Sequence, residues 1–178
     1  MSDLAIIVPP GARNRVRASI TDGTSNTAAY SEFVIQNPDK FNGIGFGPAP
    51  NFRALEPKTV RQQVYTWASG TSTEQVRLSC LQTTGLSGRN DMRGRSFSWA
   101  FLGVGGCYNG TMMPNERSCQ SYEGDWYGSN VLAANSEHPG GVNVGLADAS
   151  VRFVVETINQ DVWWGVHTIN GAENVQLP

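Results

Sequence analysis

Charge is scarce in this chain. Asp, Glu, Lys and Arg make up only 16% of its 178 residues, the formal net charge is −2, and lysine occurs only at Lys40 and Lys58. No basic cluster offers the electrostatic footprint that nucleic acid or an anionic membrane surface requires, so both are excluded as partners. Long apolar runs are missing too. Nothing approaches the roughly 20 apolar residues of a membrane span, and the start lacks the basic region and apolar stretch of an export signal. Cys80, Cys107 and Cys119 form no CxxC pair, which argues against a zinc site or a thioredoxin-like motif. There is no GxSxG elbow for a serine hydrolase, no EF-hand pattern, and no internal repeat.

What remains is the composition of one β-rich domain spanning residues 1–178, long enough to bury a core without staples. Gly, Ser, Thr and Asn are abundant, and five Trp stand beside five Tyr, as in extracellular proteins. The odd cysteine count permits one disulfide and one thiol, with Cys107–Cys119, Cys80–Cys119 and Cys80–Cys107 all open, or three reduced, buried cysteines.

Along the chain, Leu4 to Val8 reads as a short extended run stopped by Pro9-Pro10. Arg13, Arg15 and Arg17 alternate with Asn14, Val16 and Ala18, giving a basic strand face that is either a solvated edge or a charged subunit contact. Asp22-Gly23 marks a turn, and Ala28 to Ile35 a strand. A glycine-rich loop covers Phe41 to Phe52. Pro57 to Ala68 has Pro in the first turn, Val60, Val64 and Trp67 on one face and Gly70 past its end, which predicts the main helix. Thr71 to Gln75 contains overlapping capping boxes, so a second helix through Val76 and Cys80 competes with a strand over the same residues. Phe97, Trp99 and Phe101 alternate as an interior strand. Gly103 to Ser136 forms a long irregular region, and Asn159 to Val166 a short closing helix burying Val162, Trp163 and Val166.

The densest pattern runs from His138 to Phe153. Val142, Val144 and Leu146 alternate with small and polar residues, and a second alternation follows through Val151 and Phe153, which predicts a hairpin. With Asp148-Ala149 as a two-residue turn, Leu146 faces Val151, Val144 faces Phe153 and Val142 faces Val155. Alanine tolerates the positive φ of a type I′ turn poorly, so this turn is expected to be of another type or strained. His138 and Asp148 suggest an acid/base pair. In this register they lie roughly 30 Å apart along an extended chain, which favours structural roles: Asp148 capping the turn, His138 fixing the start of the strand.

In the long region Tyr108, Tyr122, Trp126 and Tyr127 form an aromatic group that pins the loop to the sheet, makes an interface, or holds a carbohydrate or small ligand. Glu116, Glu123, Asp125, Asn130 and Asn135 supply oxygens of the kind that suit calcium. No other cofactor is suggested.

The segment from His138 through Gly141 and Asn143 to Asp148 resembles the C-terminal signature of the prepilin-type processing-associated proteins, in which a histidine, nine residues and an Asp-Gly precede a final strand. Four further segments resemble that family in the same order: Ile20 to Thr27, containing Asp22, Gly23 and Asn26, with Glu32; Arg93-Gly94 followed by Trp99; Pro114-Asn115 with Cys119; and Trp163 with Thr168, Gly171 and Glu173. The chain departs from the pattern at Ala149, His167 and Ala172, where the family places glycine. The resemblance implies a secreted, pseudopilin-like protein of the type II secretion or type IV pilus kind, in a filament with copies of itself or pilin-like subunits, and no enzyme. Members carry a leader and a long apolar helix well before the Ile-Thr-Asp-Gly motif. Here that motif begins at Ile20, so this chain is expected to be the C-terminal part of a longer protein whose only membrane contact is that helix. The expected fold is α+β with β dominant: an antiparallel sheet completed by the C-terminal hairpin, one main helix and long loops. The expected role is structural, with an extracellular ligand-binding module using loop 108–127 as the alternative.

Overall fold

A computed structural model describes residues 20–34, 61–64, 70–82, 108–121, 130–171 and 175–178. In chain order the elements are β1 (Ala28–Ser31), β2 (Arg61–Val64), α1 (Thr73–Gln82), β3 (Ser118–Ser121), β4 (Asn130–Val131), β5 (Gly141–Leu146), β6 (Val151–Val155) and α2 (Gln160–Gly165). Strands outnumber helices, and the fold is α+β with β dominant. One sheet, ordered β1-β5-β6, is antiparallel throughout. The other, ordered β2-β3-β4, is mixed: β2 runs parallel to β3, and β4 runs antiparallel to it. Among the described residues no helix is long and apolar enough to cross a membrane.

The hairpin β5-β6 forms, but one residue out of the register that a two-residue turn predicts. Val142 faces Val154, Asn143 faces Phe153 and Gly145 faces Val151. The loop is longer by one residue: the Leu146 N–H donates to Ser150 O at 2.8 Å and the Ala149 N–H to Leu146 O at 3.0 Å, leaving Ala147, Asp148 and Ala149 in the turn. Three-residue hairpins end in a left-handed residue, usually glycine. Here Ala149 takes that place at φ 72°. Because side chains alternate with period two, the slip carries Val151, Phe153 and Val155 to the outer face and leaves Val154 as the buried residue of β6.

The predicted main helix over Pro57 to Ala68 is corrected in its middle, where Arg61–Val64 is a strand paired with Ser118–Ser121. Helix propensity is a weak prior, and ladder bonds to a distant strand override it. The second helix wins over its competing strand for a local reason. The Ser72 hydroxyl accepts the Gln75 N–H at 3.2 Å while the Ser72 N–H donates to Gln75 Oε1 at 3.0 Å, a reciprocal capping box opening α1. At α2, Asn159 Oδ1 accepts the N–H groups of Asp161 and Val162. The strand predicted to reach Ile35 stops at Ser31.

Two buried clusters hold these elements. Val142, Val144, Leu146 and Val154 pack with Met113, Trp163, Val166 and Leu177. Cys80, Met112, Cys119, Val131 and Ala133 form the second. Adjacent Met112 and Met113 join them, and the Met112 carbonyl accepts the Trp163 indole N–H at 2.7 Å. A disulfide links Cys80 on α1 to Cys119 on β3 across 39 positions. Closing a loop of that size stabilises the fold by about 4 kcal/mol in the chain-entropy view. Cys107 lies outside the described residues, as do the runs 4–8, 13–17, 41–52 and 97–101.

Candidate functional site

The marked residues converge on the ends of the hairpin, and most of their polar atoms hold backbone. At the turn end, Gly23 at φ 92° opens a tight turn closed by the Asn26 N–H to Gly23 O at 3.0 Å. The Asn26 amide donates to Asp22 O, and the Thr27 hydroxyl to Gly23 O. This loop then receives the hairpin tip: Ala147 and Asp148 N–H groups donate to Thr27 O and Thr24 O at 2.8 and 3.1 Å. Asp22 reaches the far end of the chain, its Oδ2 accepting from the Thr168 hydroxyl at 3.0 Å and the Gly171 N–H at 2.9 Å. Asp148 accepts both the N–H and the hydroxyl of Ser150, and the Ser150 hydroxyl is the main cause holding its carboxylate below the ordinary range.

At the other end, Glu32 stands where β1 leaves the ladder. Its Oε1 takes the Asn143 N–H at 2.6 Å and the Asn143 side-chain amide at 3.2 Å. Its second oxygen lies 3.4 Å from His138 Nε2. His138 thus faces Glu32, while Asp148 sits beyond the opposite end of β5. The His138 ring meets Phe153 edge-on.

Asn115 explains the Pro-Asn pair. Met113 to Glu116 is a turn closed by the Glu116 N–H to Met113 O at 3.1 Å, with Pro114 second and Asn115 third at φ 63°. That is the type II arrangement, in which proline presets the second residue and asparagine tolerates the left-handed third. The Asn115 side chain accepts the Ser136 N–H and donates to Gly141 O and Glu156 Oε2. Cys119 is in the disulfide and Trp163 is buried.

Tyr108 is pinned: its ring packs on the main core, edge-on to His167, and its hydroxyl lies 3.1 Å from His167 Nε2. His167 Nδ1 lies 2.7 Å from the Trp163 carbonyl, which can only accept, so Nδ1 carries the proton and Nε2 accepts from Tyr108. Burial pushes the His167 pKa down to about 4 and raises that of Tyr108. A Cβ on Gly110 would fall 2.2 Å from the His167 ring, so the absence of a side chain there makes room for it. Nothing in the linear pattern pairs Tyr108 with His167.

Of the residues considered for calcium, Glu116 has both carboxylate oxygens on the Arg77 guanidinium, one of them also accepting the Met113 N–H. The Asn135 side chain donates to Glu116 O. Among the described residues no group of three His, Cys, Asp or Glu side chains gathers as a metal site. Trp99, Tyr122, Glu123, Asp125, Trp126 and Tyr127 lie outside the described residues.

Sequence comparison matches residues 11–161 to a family described as protein of unknown function (DUF1559). No curated protein and no solved structure matches the chain.

Proposed function

We propose a structural role for this chain, which belongs to the DUF1559 family: the globular head of a secreted, pseudopilin-like subunit, standing in a cell-surface or extracellular filament among copies of itself or pilin-like partners. The role needs neither a catalytic residue nor a cofactor. The observation that carries it is how the marked polar side chains are used. Asp22, Glu32, Asn115 and Asp148 each hold at least one backbone N–H: Glu32 ties β5 to a segment 111 residues away, Asp22 holds Gly171 across 149 positions, Asn115 holds Ser136, and Asp148 holds Ser150 in the hairpin turn. Such side chains serve rigidity rather than turnover, and rigidity is what a repeating subunit needs.

Two further features support the reading. The Cys80–Cys119 disulfide fits an oxidising, extracytoplasmic compartment. Tyr30, Val151, Phe153 and Val155 expose an apolar sheet face of the kind that marks interaction surfaces. The test is electron cryo-microscopy of appendages sheared from cells that express the native gene. Density for this head repeating at a fixed interval is the expected result. Recovery of the chain only as a dispersed monomer that saturably binds an oligosaccharide would overturn the reading in favour of a ligand-binding module.

A further inference from the structure

Among the described residues strand β6 lies at the edge of its sheet. Ser150 O and the Glu156 N–H bond toward the β5 side, to Leu146 and Gly140. Alternation along the ladder therefore turns the backbone groups of Val151, Phe153 and Val155 away from β5. Val155 O accepts the Ile158 N–H. Among the described residues, nothing bonds to the N–H and C=O groups of Val151 and Phe153. The side chains on this edge are also exposed, Val151 by 56%, Phe153 by 46% and Val155 by 42%. An open edge carrying exposed apolar residues is a template for another strand, which folded proteins ordinarily blunt.

We propose that the occupant of this edge is β6 of a second copy, paired antiparallel about a two-fold axis at Phe153. The proposal rests on the assembly reading and names a contact for it. The strand is its own complement in this arrangement. Phe153 faces Phe153 of the partner, and Val151 faces the partner's Val155, so apolar residues meet on one face and outward N–H and C=O groups meet along the seam. On the opposite face Arg152 lies diagonal to the partner's Glu156 and, across the axis, to the partner's Arg152, so two opposite-charge pairs accompany one like-charge pair. Both side chains are exposed. The outer face is continuous behind the seam. Tyr30, Gly145 and Val151 form one cross-strand row, with the Tyr30 ring over Gly145 so closely that a Cβ there would lie 2.0 Å from it. Two copies joined at β6 would form one six-stranded sheet with a shared apolar face.

The test uses the full chain in three forms: wild type, Phe153→Lys, and Phe153→Cys in a Cys107→Ser background. Directly opposed residues of a bonded antiparallel pair have Cα atoms about 5.5 Å apart, within disulfide reach. Sedimentation equilibrium should show a wild-type dimer, weakened at least about tenfold by Phe153→Lys with an unchanged far-ultraviolet circular dichroism spectrum. Mild oxidation should convert Phe153→Cys into a covalent dimer. Wild-type association that survives Phe153→Lys, or a Phe153→Cys chain that stays monomeric on oxidation, overturns the pairing and leaves filament assembly standing. Wild type that is monomeric at every concentration overturns the pairing and leaves filament assembly to the microscopy. Monomeric wild type whose Val151 and Phe153 amides resist hydrogen exchange would assign the edge to a segment of the same chain, and also overturns the pairing.

Discussion

Strands β5 and β6 both alternate and lie side by side, yet Val142, Val144 and Leu146 on β5 are buried whereas Val151, Phe153 and Val155 on β6 are exposed. Composition does not separate them. Position and parity do: among the described residues β5 is the central strand, with neighbours on both sides, while β6 has a neighbour on one side only. Alternation says that apolar residues share a face without saying which. The third loop residue decides that, sending the alternating set of β6 to the side opposite the core.

The largest effect that tests this contrast comes from truncating one residue on each strand. Leu146→Ala should lower stability by about 3 kcal/mol, since it empties a packed site, while Val151→Ala should stay within about 0.5 kcal/mol in urea unfolding. Equal losses would restore the two-residue turn and put Val151 inside.

Nearly as large is the effect of acid on the buried side. His167 is 4% exposed, and its folded pKa of about 4 lies below the ordinary value of 6.5. Between those values the unfolded chain binds the proton and the folded one does not. Stability from this group is therefore full above about pH 6.5, falls as pH drops toward 4, and changes no further below that, a loss of about 3 kcal/mol. Unfolding free energies across that range should show the slope, and His167→Gln should flatten it.

The smallest change addresses the turn that sets the parity. Ala149→Gly removes the Cβ from a residue at φ 72° and should stabilise the protein by about 1 kcal/mol, or roughly 2–4 °C in melting temperature. A loss of stability would mean that the left-handed conformation is not the one the turn adopts.

What the sequence by itself determined is local. The Ser72–Gln75 capping box, the Asp22-Gly23 turn, the helix after Asn159 and the period of the hairpin strands all depend on residues within a few positions of one another, so spacing alone reveals them. The tertiary structure decided whatever needs a distant partner. Arg61–Val64 is extended because Ser118–Ser121 lies beside it, Cys80 pairs with Cys119 because α1 lies against the sheet that holds β3, and Asp22 meets Thr168 across 146 positions. His138 carries a recognisable signature, yet its neighbour is Glu32 rather than Asp148, since β5 holds the two motif residues at opposite ends. Periodicity fixes which side chains travel together; only the length of a turn and the packing of remote strands decide which way they point.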